Sequence, residues 1–214
     1  RRCRLPQSEQ KVLAERTKMT GQTTVVTPER FASGLTYENY LAQINVNKER
    51  FEQFYESAKL DSDDAEFFRS ATQHPNGPAK MLVIGEDWCP DVYRGMPVMA
   101  RIAEASGLEL RVFPRDQHLD IADEFLKQGE FRSIPVAVFY TKDHEYIGHW
   151  IERPAQADQE RGQIALDIQQ EFPEADEEKV RSETRSRTQA KQPGWQQASI
   201  KEMRKIIAAK LGTS

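Results

Sequence analysis

One short segment, Trp88-Cys89-Pro90-Asp91-Val92, places residue types that do covalent chemistry at a spacing that helps them. A cysteine reacts as its thiolate. A helix N-terminus favours that form because its free N–H groups and dipole attract negative charge. Cys89 falls between the apolar run Met81-Leu82-Val83-Ile84 and a stretch with helical spacing, so it stands where a strand ends and a helix begins. Pro90 suits the first turn of that helix, where its missing N–H is not needed. Trp88 can shield the sulfur on one side. Asp91 and the pair Glu86-Asp87 work in the opposite direction, since negative charge nearby disfavours the thiolate. Asp91 also suits a helix N-terminus on structural grounds alone, and both readings of it stand. The segment reads as an exposed, reactive thiol; a small buried cysteine at a strand end is the plainer alternative.

Other chemistries find little support. His74, His118, His144 and His149 are scattered, with no pairing at ligand spacing, so no metal site is expected. There is no glycine-rich phosphate loop and no nucleophile elbow. Arg94 lies three residues after Asp91, a spacing that gives a minor ion pair on a helix surface. Cys3 is the second of two cysteines, too few for a disulfide framework, which fits a reducing, cytoplasmic setting.

The elements that must hold Cys89 follow from periodicity. Met81 to Ile84 reads as a buried parallel strand. Val92, Met96, Met99, Ile102 and Ala103 share one face of the helix that follows, and Gly107 stops it. Leu108, Leu110, Val112 and Phe113 suggest a second strand. Ile121, Ala122, Phe125 and Leu126 suggest a second helix, ended by Gly129. Val136 to Tyr140 and Tyr146 to Ile151, joined by a turn at Lys142-Asp143, read as an antiparallel hairpin. The order is β-α-β-α-β-β, whose alternating first half implies parallel strands with crossover helices. A further helix carrying Ile164, Ala165, Ile168 and Phe172 is expected to cover the sheet.

Flanking segments divide the rest. Residues 1–33 are polar and read as an extension or linker, with a basic cluster at Arg1, Arg2 and Arg4. Residues 34–78 read as an N-terminal helical cap that begins at Thr36 and carries Tyr37, Tyr40, Phe51, Phe54, Tyr55, Phe67 and Phe68 on faces that need burial. Residues 79–173 form the central domain, 174–198 a polar linker or exposed helix, and 199–214 an amphipathic helix opened by the capping box Ser199-Ile200-Lys201-Glu202. Net charge is −4, which argues against nucleic acid, and no apolar run approaches the ~20 residues that span a bilayer.

The strand, Trp88-Cys89-Pro90, the helix, and Ser133-Ile134-Pro135 before a hairpin together resemble the thioredoxin superfamily. Residues 31–172, including Gly34-Leu35-Thr36-Tyr37-Glu38-Asn39-Tyr40-Leu41 and Trp150-Ile151-Glu152-Arg153-Pro154, resemble a bacterial thioredoxin-like family with an N-terminal helical extension. The resemblance implies an α/β three-layer fold, a central mixed sheet flanked by helices, with added N- and C-terminal helices. It implies that Cys89 is the catalytic thiol and that Trp88, Pro90, Asp91, Ile134 and Pro135 border the substrate. It implies a cis bond at Pro135, with Ile134 pairing its backbone with a bound chain as an added strand. Two departures matter. Val92 stands where the family has its second cysteine, and Val83 where it has a buried Asp that moves protons for that thiol. Exchange at Cys89 would therefore halt at a mixed disulfide unless another thiol resolved it.

Three functions follow as expectations. The first is a monothiol redox protein that exchanges with protein thiols or disulfides, needing no bound cofactor, with glutathione as a candidate co-reactant. The second is a non-catalytic module that holds a peptide or partner protein on the Ile134-Pro135 edge. The third, compatible with either, is an assembly role for the aromatic helices and the C-terminal stripe.

Overall fold

The computed structural model describes residues 24–213. Cys3 and the basic cluster at Arg1, Arg2 and Arg4 lie outside them. Helix α1 (Pro28–Ala32) is followed by α2 (Tyr37–Gln43), α3 (Lys48–Ser57) and α4 (Ser62–Gln73). Threonine and aspartate start three of these: the Thr27, Thr36 and Asp61 side chains each accept a backbone N–H of the first turn. Then come β1 (Lys80–Gly85), α5 (Pro90–Ser106), β2 (Glu109–Pro114), a short 3-10 turn, α6 (Leu119–Ala122), β3 (Val136–Tyr140), β4 (Tyr146–Ile151), α7 (Ala155–Glu171) and α8 (Glu177–Leu211).

The strands form one sheet in the order β2-β1-β3-β4. β1 and β2 are parallel, as a crossover through α5 requires, and β3 runs antiparallel to both β1 and β4. Leu35 and Val112 exchange backbone hydrogen bonds at the β2 edge, so the N-terminal segment is stitched to the sheet. Central positions on β1 and β3 are fully buried, as expected for strands covered on both faces.

Helices α5 and α8 pack on each other over one face. β4 shows how: Trp150 donates its indole N–H to Glu202 of α8 at 2.7 Å, and Gly148 meets Ile206 so closely that a Cβ there would lie 2.4 Å from its methyl group. On the other face Phe31 meets Tyr140, and Phe125 meets His149. Outside α5 lie α3 and α4, whose aromatics pack inward: Phe51 and Phe68 are fully buried, and Phe54 stacks on Tyr93. The sheet with its helical layers is the expected α/β three-layer architecture with added helices.

Several boundaries differ from the sequence reading. Within 1–33, the part from Val26 onward is no linker: Val26 and Phe31 are buried, and the His144 ring contacts the Val26 carbonyl at 2.7 Å. The second crossover helix is a single turn, α6, that ends before Phe125. The helix carrying Ile164 and Ile168 is not the sheet cover; α7 packs against α8, and Ala165 is exposed. Ile200, Met203 and Ile207 of α8 fill that role with 0 % exposure, each contributing roughly 2 kcal/mol by leaving water. Nor is 174–198 a linker. One helix runs from Glu177 to Leu211, through Pro193 and Gly194, and the Ser199 hydroxyl bonds back to the Trp195 carbonyl instead of capping a new start. Burial of Thr188, Gln192, Trp195 and Gln196 overrides the local breakers. Among the described residues, no helix is long and apolar enough to cross a membrane.

Candidate functional site

β1 ends at Gly85, and the chain turns through Glu86, Asp87 and Trp88 into α5, whose N-cap is Cys89. The Cys89 carbonyl accepts the first helical bonds, from Val92 and Tyr93. Its thiol donates to the carbonyl of Ile134 at 3.8 Å. The Ile134–Pro135 peptide is cis, and both residues are buried. α5 can approach this loop because residue 95 is glycine: a Cβ there would come within 3.2 Å of Pro135. The sulfur and the Ile134-Pro135 segment, 45 residues apart, are thereby neighbours.

The thiol is less open than the sequence reading had it. Cys89 is half-buried, while Trp88 beside it is 43 % exposed. Burial pushes the Cys89 thiol above its ordinary pKa. The Val92 and Asp91 backbone N–H groups pull it down, as a helix N-terminus should, but the Asp91 charge pushes it up, and Arg115 returns a little. Val92 and Val83 are both fully buried. Trp88 lies over the guanidinium of Arg115, 5.1 Å from its ring centre, and Arg115 is held by Asp116 and the Arg132 carbonyl. Pro90 is exposed beside them.

Asp91 is not aimed at solvent. Its carboxylate pairs with Arg153, while Arg94 and Arg161 stand further off at 4.0 and 3.8 Å. The expected Asp91–Arg94 contact is therefore the weaker one. Arg153 also pairs with Glu152 and Asp158, and Lys127 joins both carboxylates. Burial works against the charge on Arg153, but these carboxylates outweigh it and hold it protonated more firmly than usual. Asp91, Arg94, Trp150, Arg153 and Gln196 line a cavity of about 30 Å³ between α5 and α8, room for one or two water-sized groups.

The N-terminal helices reach the site as well. The Asp87 carboxylate accepts the backbone N–H groups of Asn45 and Val46, and the Asn47 side chain donates to the Asp87 carbonyl. Tyr40, buried with its hydroxyl unpartnered, is raised in pKa first by burial and then by Glu86, Asp87 and Cys89. Among the described residues, no group of three or more His, Cys, Asp or Glu side chains could hold a metal ion. Sequence reasoning missed Arg153, Arg115 and Tyr40 as parts of the site. Arg153 lay inside a run quoted for its resemblance, but its partner Asp91 is 62 residues away, which no local pattern can show.

A family model described as thioredoxin matches residues 34–165. The chain belongs to the thioredoxin family. The match takes in Leu35 of the β2-edge stitch, the Asp87 clamp, the Cys89 motif and the cis-proline loop. Among solved structures, this thioredoxin-family chain is similar to a protein of unknown function from Pseudomonas aeruginosa, at 18% identity and a TM-score of 0.58, with 86% of this chain and 98% of that one covered. It is also similar to an HIV epitope scaffold, at 18% identity and a TM-score of 0.55, covering 87% and 99%. At such identity the likeness speaks for the fold alone. A comparison with curated proteins gave no match.

Proposed function

We propose that this thioredoxin-family protein is a monothiol exchanger that takes a disulfide partner along the Ile134-Pro135 edge and reacts with it through Cys89 alone. The observation behind this reading is the 3.8 Å approach of the Cys89 sulfur to the Ile134 carbonyl, which brings the nucleophile to the edge where an extended chain would lie. In the step, the Cys89 thiolate attacks one sulfur of a disulfide. A new S–S bond forms to Cys89, the old one breaks, and the departing thiolate takes up a proton. With valine at positions 83 and 92, release falls to a second thiol such as glutathione, which attacks the mixed disulfide and restores Cys89.

The half-buried thiol with its raised pKa favours a second reading, a module that holds a partner on the same edge without reacting. Mass spectrometry after mild treatment with glutathione disulfide separates the two. Exchange predicts one glutathione adduct that Cys89→Ser abolishes and Cys3→Ser leaves intact. No adduct on Cys89, together with partner capture unchanged in Cys89→Ser, would leave only the binding module.

A further inference from the structure

Two consecutive residues just past the end of β4 grip the two halves of the Cys89 site. The Glu152 backbone N–H donates to the Pro135 carbonyl at 2.7 Å, which holds the loop that faces the sulfur. The Arg153 guanidinium holds Asp91, in the first turn of α5. Glu152 has a left-handed backbone, φ 70°, and is 5 % exposed; the turn it makes swings the next side chain back toward α5. Arg153 is nearly buried and carries carboxylates on both terminal nitrogens, Asp91 and Glu152 on one and Asp158 on the other. Its position is thus held by Glu152 and by Asp158 of α7 as well as by Asp91 of α5.

Asp91 is two residues from Cys89, and its negative charge opposes the thiolate. An ion pair in a poorly solvated place removes much of that opposition, because a cation against the carboxylate cancels its field at the sulfur. The charged and titratable groups around the pair are Arg94 and Arg161 on Asp91, Glu152 and Asp158 on Arg153 with Lys127 behind both, and Arg115 and Tyr40 near the sulfur. Of the three arginines around Asp91, Arg153 alone is within hydrogen-bond distance.

We infer that Arg153 is the positioning residue of the Cys89 site: by holding and screening Asp91 it sets how readily Cys89 ionises, without touching the sulfur itself. This refines the redox reading, yet it concerns ionisation of the thiol and holds whether or not exchange follows. An arginine suits the task better than lysine, because its fork serves Asp91 and Asp158 at once.

Iodoacetamide alkylation of the full chain in a Cys3→Ser background, followed between pH 6 and 10, tests it. Arg153→Met should lower the rate at pH 7.5 by about three- to tenfold and move the midpoint upward, the range expected for unscreening one nearby charge. Arg153→Lys should recover part of the loss. Asp91→Asn should raise the rate and move the midpoint downward. A slowed reaction whose midpoint stays where it was would show that Arg153 merely supports the fold and would overturn the inference. So would an unchanged profile in Arg153→Met. Should Arg153→Met fail to fold, Asp91→Asn and Arg153→Lys still decide: an unmoved midpoint in Asp91→Asn sinks the inference. Glutathione adduct formation measured alongside fails separately if only the exchange reading is wrong.

Discussion

Cys89 has a helix N-terminus on one side and both burial and Asp91 on the other, and the second pair prevails. The pH profile of its alkylation should therefore have a midpoint above the ~8.5 of a free thiol. A midpoint below 8 would mean that the helix dominates. The same shift has a stability sign. A thiol whose pKa is raised by folding lends its contribution in full below the unfolded pKa, and that contribution fades as the pH climbs through the folded pKa. Cys89→Ser should consequently flatten the alkaline arm of a stability-versus-pH curve and leave the neutral region alone. Trp88 is different in kind. It is 43 % exposed and rests on Arg115, so Trp88→Ala should change stability by less than about 1 kcal/mol while weakening any partner held beside the sulfur, as titration would show. At this scale the sequence disclosed the identity of the thiol, its place at a helix start and the acid that opposes it. It did not disclose Arg153, because an ion pair across 62 residues leaves no periodic trace.

Elements were legible where apolar spacing was long and regular. β1, α5, β3 and β4 sit close to where the pattern puts them, since burial enforces one period over each. The errors fell where tertiary packing outweighs local preference. Residues 174–198 read as a polar linker or exposed helix, yet α8 runs through Pro193 and Gly194 because Trp195 and Gln196 are buried and the Trp195 indole is bonded to Glu160. Periodicity also could not tell which of two late helices covers the sheet, and the deciding feature was a single missing side chain. Gly148 leaves room for Ile206, and a Cβ there would stand 2.4 Å from its methyl group. Gly148→Val should cost about 2–3 kcal/mol by lifting α8 from β4, measurable by chemical denaturation. Gly162→Ala, at an exposed helical position with nothing within 4 Å of its Cβ, should be neutral or slightly stabilising.

Across the whole molecule the two added parts meet each other as well as the sheet. Asp64 of α4 is 2 % exposed, and one of its oxygens is paired at 2.7 Å with Arg204 of α8, 140 residues later. The same guanidinium lies 4.5 Å from the ring centre of Phe67. Arg204→Met would leave a carboxylate buried without its cation, at a cost of about 2 kcal/mol or more, which a lowered melting temperature would report. Asp64→Asn in that background should recover part of it. Cutting this chain at residues 79 and 173 would strip the cover from β4, part Asp64 from Arg204 and leave Trp150 without Glu202. A protease offered the folded chain would then have no compact kernel to spare: loss of either end should expose the remainder, so that digestion runs from full length to small peptides with little in between.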